Sequence, residues 1–260
     1  MATRIAIACE KGGVGKTTAT IEIAANLKLL GKRVLAIDFD YQGDLTKNIN
    51  GVFDDKNIFE VLNGEIHPQN CIQRLEAFDL IASSFKLSKA SKVFVERDDI
   101  FLLDEAINLI EENYDYILID NNPDLSDLFL MSMIAADYVI IPTKGDESSF
   151  KNLLKTEEVL NQFTSGRQKV SHAEVMGYIF SGIKKRASIH TVILEKLNEL
   201  AESKDTDVKP FVRCIPDTVK MDEIKTYKTP ISLLQKGCTQ AREFYSIAQE
   251  IIERSEREVV

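Results

Sequence analysis

Cysteine and histidine are too few and too scattered to organise a metal or disulfide framework. The 260 residues contain four cysteines (Cys9, Cys71, Cys214 and Cys238) with no C-x-x-C pair, and three histidines without ligand spacing. In a chain without export signals, this usage fits free thiols in a reducing cytoplasm. Long apolar runs are missing too: none approaches the roughly 20 residues a membrane-spanning helix needs. The opening MATRIAIAC passes straight into a strand pattern, so no signal or transit peptide is expected. There is no Gly/Ser/Pro-rich linker, internal repeat or low-complexity segment, so one domain over residues 1–260 is the expectation. Positive charge is also short. A formal net charge of −9 argues against a protein coated in nucleic-acid-binding charge. The stretch from Lys184 to Lys228, however, holds ten Lys/Arg against eight Asp/Glu. Taken alone, that bias reads first as a solvated surface of mixed charge.

With 44% apolar and 28% charged residues, the chain has an ordinary soluble composition and enough length to bury a large core. Short apolar runs alternate with longer amphipathic ones. Segments 4–9, 33–38, 114–120, 137–143 and 174–180 predict strands buried on both faces. Helical spacing covers 17–30, closed by Gly31 at C′, and then 98–112, 126–136, 147–164 and 188–203. A last helix over about 238–256 carries an apolar stripe of Ala241, Phe244, Tyr245, Ala248, Ile251 and Ile252. Segment 51–97 is less regular, with a short helix in NIFEVLNGE and a short strand in FDLIASS. The expected fold class is α/β: a mostly parallel twisted sheet with helices on both faces.

The stretch EKGGVGKTT (10–18) follows the first strand and opens the first helix, the setting of a phosphate-binding loop. The general pattern Gly-x-x-x-x-Gly-Lys-Ser/Thr fails at its first position, where Glu10 stands, and an extra lysine, Lys11, follows. Gly12, Gly13 and Gly15 permit the backbone to wrap phosphate oxygens, and the helix N-terminus adds partial positive charge. Lys16 can bridge β- and γ-phosphate oxygens, and the Thr17 hydroxyl can ligate Mg²⁺. Asp120, ending the strand YILID, suits a carboxylate beside the metal shell. Asp38 and Asp40 are two residues apart and project to one side of the second strand. An acidic turn in solvent is the alternative for Asp40.

Together KGGVGKTT, DFDYQGD and YILIDNNP resemble the deviant Walker A ATPases of the ParA/Soj and MinD group. The similarity runs over nearly the whole chain, through FDLIASSFKLS, AADYVIIPT, VRCIPDTVKMDEI, PISLL and AREFYSIAQEI. In that group the first loop position is not required to be glycine, and the extra lysine is the signature. The resemblance implies a P-loop NTPase fold with ATP and Mg²⁺ as cofactors, and a homodimer when ATP is bound. It implies that Lys11 reaches the phosphates of the partner subunit, acting as an arginine finger would. Lys11, Gly12, Gly13, Val14, Gly15, Lys16, Thr17 and Thr18 form the implied ATP contact set, with Pro216 and Asp217 near adenine. By the same resemblance, Asp40 is expected to position the hydrolytic water, and Thr17, Asp38 and Asp120 to support the metal. Two loops depart from the group's pattern: Asn122 precedes Pro123, and Tyr41 and Asp44 replace the usual Pro and Asn.

ParA-like members bind DNA non-specifically as ATP dimers and are stimulated by a centromere-binding, ParB-like partner. That resemblance raises Lys184, Lys185, Arg186, Arg213 and Lys220 as candidate DNA contacts, with Lys225 and Lys228 nearby. No helix-turn-helix extension precedes the first strand, so operator reading is not expected. The tail EIIERSEREVV lacks a basic face beside bulky apolar residues and makes a poor membrane anchor. The expected location is the cytoplasm, in association with the nucleoid. Two alternatives stay open: a MinD-like positioning ATPase for a non-DNA cargo, and a biosynthetic P-loop enzyme. Glu10, beside the signature lysine, is expected to tune Lys11 or pair with a basic group across a dimer interface.

Overall fold

The buried runs read from the sequence form the middle of one sheet. A computed structural model describes residues 1–124, 127–165, 169–183, 188–218, 221 and 223–257. Its strands are β1 (Thr3–Ile7), β2 (Val34–Phe39), β3 (Ile72–Arg74), β4 (Asp79–Ile81), β5 (Tyr116–Asn121), β6 (Tyr138–Lys144), β7 (Glu174–Ile183) and β8 (Phe211–Pro216). They lie in the order β3-β4-β2-β5-β1-β6-β7-β8. Every neighbouring pair is parallel except β3 and β4. Parallel pairing sends the C-terminal ends of the central strands to one edge, where open α/β sheets bind ligands.

Helices α1 (Lys16–Leu29), α2 (Asp44–Asn48), α3 (Ile58–Leu62), α4 (Ala90–Val93), α5 (Leu102–Asn108) and α6 (Asp127–Ala135) alternate with the first five strands and lead into β6. After them come α7 (Glu147–Thr164), α8 (Ser188–Glu202), α9 (Glu223–Tyr227), α10 (Ile231–Leu234) and α11 (Thr239–Arg257). Strand alternation splits the core by face. Ile5 and Ile7 pack with α1, α10 and α11, whereas Ala6 and Ala8 pack with α6, α7 and α8. Leu35, Ile37, Ile117 and Ile119 meet α3, α5 and α6. Helices therefore cover both faces, as expected. No helix among the described residues is long and apolar enough to cross a membrane.

Gly31 closes α1 in a Schellman motif, its N–H bonding Lys28 O while Lys32 N–H bonds Leu27 O. The helix expected over 98–112 is shorter. It forms α5, with 3-10 turns at Arg97–Phe101 before it and Glu111–Asn113 after it. The buried Arg4 guanidinium bonds Asp104, Asn108 and Glu111 and holds these turns against β1. In α11, Ala241, Phe244, Ala248 and Ile251 are buried as their spacing requires, but Tyr245 faces solvent.

Helix α10 follows Pro230 and has no side-chain cap of its own. Glu22, fully buried in α1, supplies one from a distance. Its Oε1 accepts from Ile231 N–H at 2.6 Å and its Oε2 from Ser232 N–H at 3.1 Å, and the Ser232 hydroxyl also donates to it. Burial pushes this carboxyl up to about 7, against the pull of those three donors. Glu22→Ala would leave two backbone N–H groups unpaired in the core. We expect a loss of about 3 kcal/mol in urea unfolding. A loss under about 1 kcal/mol would show that the tie is dispensable.

Candidate active site

The loop between β1 and α1 turns on left-handed glycines. Gly13 has φ +73° and Gly15 φ +102°, a region costly for residues bearing a Cβ. Gly15 is the N-cap of α1, and no side chain caps the first turn, so its N–H groups face the loop's concave side. Lys16 is 7% exposed, and its Nζ donates to the carbonyls of Cys9 and Lys11, both at 3.1 Å. The lysine thereby ties the loop to itself. Burial lowers its proton affinity, while Asp120 and Asp40 counter that effect.

A cavity of about 480 Å³ opens above this loop. All residues from Gly12 to Thr18 line it, together with Asp40, Pro216 and Asp217. The expected phosphate contacts and the expected adenine contacts thus share one cavity. Tyr41, Asp44 and Pro123, from the two departing loops, also line it. Sequence reasoning missed Lys144, Ser181 and Gly182 at the ends of β6 and β7, and it assigned Lys225 elsewhere although Lys225 stands on the cavity wall. A lysine directly after a buried strand, on the edge where the loop lies, was the available signal for Lys144.

Asp38 and Asp120 lie beneath the cavity, directly opposite each other on β2 and β5, and both are 0% exposed. Asp38 Oδ2 accepts from Thr46 N–H at 2.7 Å and from the Thr46 hydroxyl at 2.6 Å. Asp120 Oδ1 accepts from the Thr20 hydroxyl at 3.0 Å, while Oδ2 is buried without a hydrogen-bond partner. Burial, reinforced by Asp120, pushes Asp38 up to about 8. Burial pushes Asp120 up to about 7, with the Thr17 and Thr20 hydroxyls opposing. Two dry carboxyls and an orphaned oxygen beside Thr17 fit a hard divalent cation with oxygen ligands. Asp40 is 9% exposed and accepts from Gln42 N–H at 2.9 Å. Burial raises its proton affinity, so it is a buried group on the cavity wall rather than an acidic turn in solvent.

Lys11 and Glu10 turn away from the cavity. Lys11 Nζ donates to Asp146 Oδ1 at 2.8 Å and to the Ser149 hydroxyl at 2.9 Å, at the N-cap of α7. Lys11 holds the Asp146 carboxyl down at about 2, helped by Ser149. Glu10 pairs with Lys155 of the same helix, and its N–H bonds the Thr156 hydroxyl at 3.1 Å. Its basic partner therefore lies in its own chain. Of the candidate DNA contacts, Arg213 is ion-paired to Glu250 at 2.5 Å. Lys184, Lys185, Arg186 and Lys220 lie outside the described residues.

A parallel sheet, a glycine loop opening a helix, and two carboxylates at adjacent strand ends define a P-loop ATPase. The chain belongs to the ParA/MinD-type partition ATPases, and its residues 2–171 match the family model AAA_31, described as an AAA domain. It is 29% identical to the chromosome-partitioning ATPase Soj of Treponema pallidum over 248 residues, 94% of this chain and 95% of that protein. It is also similar to the crystal structure of a putative plasmid partition protein of Borrelia burgdorferi bound to AMPPNP, with a TM-score of 0.82 and 25% identity over 98% of this chain and 100% of that one. Cobyrinic acid a,c-diamide synthase of Mycobacterium smegmatis, with bound ATP analogue and magnesium, superposes with a TM-score of 0.82. It is 21% identical over 97% of this chain and 94% of that one, a likeness of fold.

The carboxyl pair sets a pH prediction. In the unfolded chain an aspartate loses its proton near pH 4. In the fold Asp120 keeps it to about 7 and Asp38 to about 8. The folded state therefore binds more protons across that window, and stability falls as pH rises through it. Without nucleotide or metal, Asp120→Asn should raise Tm at pH 8 by about 5 °C and change it little at pH 4. An unchanged or lower Tm at pH 8 would contradict the dry-pair account.

Proposed function

We propose that this chain is an ATP-dependent dimerisation switch that hydrolyses Mg²⁺–ATP to partition or position DNA. Its ATP dimer binds DNA non-specifically, and a centromere-binding, ParB-like partner stimulates turnover. The observation that carries this reading is the placement of Lys11: it belongs to the phosphate loop, yet it stands apart from the loop's own cavity. A loop lysine with no role toward its own cavity suits one that serves a second copy. Its tie to Asp146 would have to open for that, so turnover would depend on association.

The remaining roles follow from position. Gly12 to Gly15 and the first turn of α1 would hold phosphates through backbone N–H groups. Lys16, now on two carbonyls, would turn its ammonium to the phosphates. Thr17, with Asp38 and Asp120 behind it, would hold magnesium and its waters; bound, the cation would neutralise developing phosphate charge. Asp40 on the cavity wall would orient the attacking water. Pro216 and Asp217, which line the same cavity, would contact the base. The apolar stripe of α11 is spent on the core around Phe244, Ile247 and Ile251, which supports a role without a stable membrane anchor. DNA contact would fall to Lys184, Lys185, Arg186 and Lys220, with Arg213 once its pair with Glu250 opens, each doubled by dimerisation.

Three substitutions separate these roles. Lys16→Ala should abolish ATP binding, measured with a fluorescent nucleotide. Lys11→Ala should keep monomer binding within about twofold but lose at least tenfold in stimulated hydrolysis, the loss expected of a trans-acting cation. Asp40→Ala should accumulate an ATP dimer in light scattering. Full stimulated turnover by Lys11→Ala would exclude the trans-acting lysine.

DNA binding should be steeply salt-dependent. Affinity for random-sequence duplex in ATP should fall on the order of 10³-fold or more between 50 and 200 mM salt if at least six phosphates are contacted. Absence of binding at 50 mM salt would reject the DNA arm and favour another cargo.

A further inference from the structure

The turn joining β6 to α7 carries three consecutive residues with three separate tasks. Asp146 holds Lys11 and caps α7, its carboxylate accepting Ser149 N–H at 2.8 Å. Gly145 lies under His190 of α8: a Cβ placed there would meet the imidazole at 2.2 Å. The ring also packs edge-on against Phe180 of β7, 5.5 Å between centroids. The turn is thus clamped from above and cannot shift without moving α8. Lys144, the first of the three, lines the cavity above the phosphate loop.

The register places Lys144 at the height of the loop. It pairs with Ser181 on β7, and the Ser181 hydroxyl lies 3.5 Å from the point where a Gly15 Cβ would stand. Lys144 makes no ion pair among the described residues. The acids next to it in sequence are already engaged, Asp146 by Lys11 at 2.8 Å and Glu147 by Lys151 at 3.1 Å. An exposed lysine on a clamped turn, lining the same cavity as Gly12, Gly13 and Gly15 and ion-paired to no acid among the described residues, is a preset anion contact. Lys16 reaches the same cavity from below, through the loop's carbonyls, so the two cations face it from different sides.

We propose that Lys144 is a third lysine of the nucleotide site, which binds the triphosphate of the ATP held in its own chain and favours ATP over ADP. This rests on reading the cavity as the nucleotide site. His190 and Gly145 are positioning residues for it: they fix where the turn releases the Lys144 side chain.

The test is equilibrium binding of fluorescent ATP and ADP, with magnesium, to wild type, Lys144→Gln, Lys144→Arg and Lys16→Ala. A charge-assisted contact to phosphate predicts about tenfold weaker ATP binding in Lys144→Gln, with less than about twofold change for ADP. Lys144→Arg should restore ATP binding to within about threefold. If Lys16→Ala loses nucleotide while Lys144→Gln binds ATP as wild type does, the Lys144 assignment is overturned and the site stands. Equal weakening of ATP and ADP would overturn the preference for triphosphate. If Lys16→Ala binds normally, the nucleotide reading of the cavity fails. The clamp has its own arm. Gly145→Ala should weaken ATP binding like Lys144→Gln, and His190→Ala added to it should recover binding; no recovery would remove the positioning role.

Discussion

The site depends on an electrostatic conflict built into the middle of the sheet. Asp38 and Asp120 face each other across adjacent parallel strands, in a core where water does not reach either residue. A single buried carboxylate is costly, and two at neighbouring register positions oppose each other's ionisation. Threonines at 46 and 20 satisfy part of the pair and leave one oxygen of Asp120 unmatched. The fold carries this pair because hydrophobic packing on both sheet faces fixes β2 and β5 in place. The conflict is local, and the surrounding core outweighs it. What the free chain leaves unresolved is the feature a hard cation would complete.

The two lysines of the phosphate loop have opposite surroundings. Lys16 is drawn inward by backbone carbonyls, in a site dry enough to lower its proton affinity. Lys11 is drawn outward by a carboxylate on α7 whose acidity it increases. Glu10 adds a second tie to the same helix. Helix α7 is therefore wired to the loop at both residues before its first glycine. A displacement of α7 by anything bound to its outer face would reach Lys11 before it reached Lys16.

Much of this was legible in the sequence because it is local. Strands β1, β2, β5, β6 and β7 are continuous apolar runs, and their ends fall within a few residues of the runs' ends. The glycine loop, Lys16 and the paired aspartates announce themselves by spacing and by charge in strands that are otherwise apolar. Strand β3, three residues of Ile-Gln-Arg, has no period to read. Strand β8 has mixed burial and presents no continuous apolar run to read. The partners of Lys11 were not legible, because they lie 135 and 138 residues away. Asp146 and Ser149 look like an ordinary N-cap pair, which they also are. Lys144 falls one residue past the strand expected over 137–143, and the strand order that sets the end of β6 beside the loop is not a local property.

The sheet's two margins bear on how copies of this chain can meet. β3 offers only three residues of open backbone, and β8 begins after Pro210 and ends on Pro216. Proline and brevity at an edge deny an incoming strand its ladder of hydrogen bonds. Growth of the sheet from one molecule into the next is thus discouraged on either side. Open-ended pairing of the kind that builds fibres is thereby disfavoured.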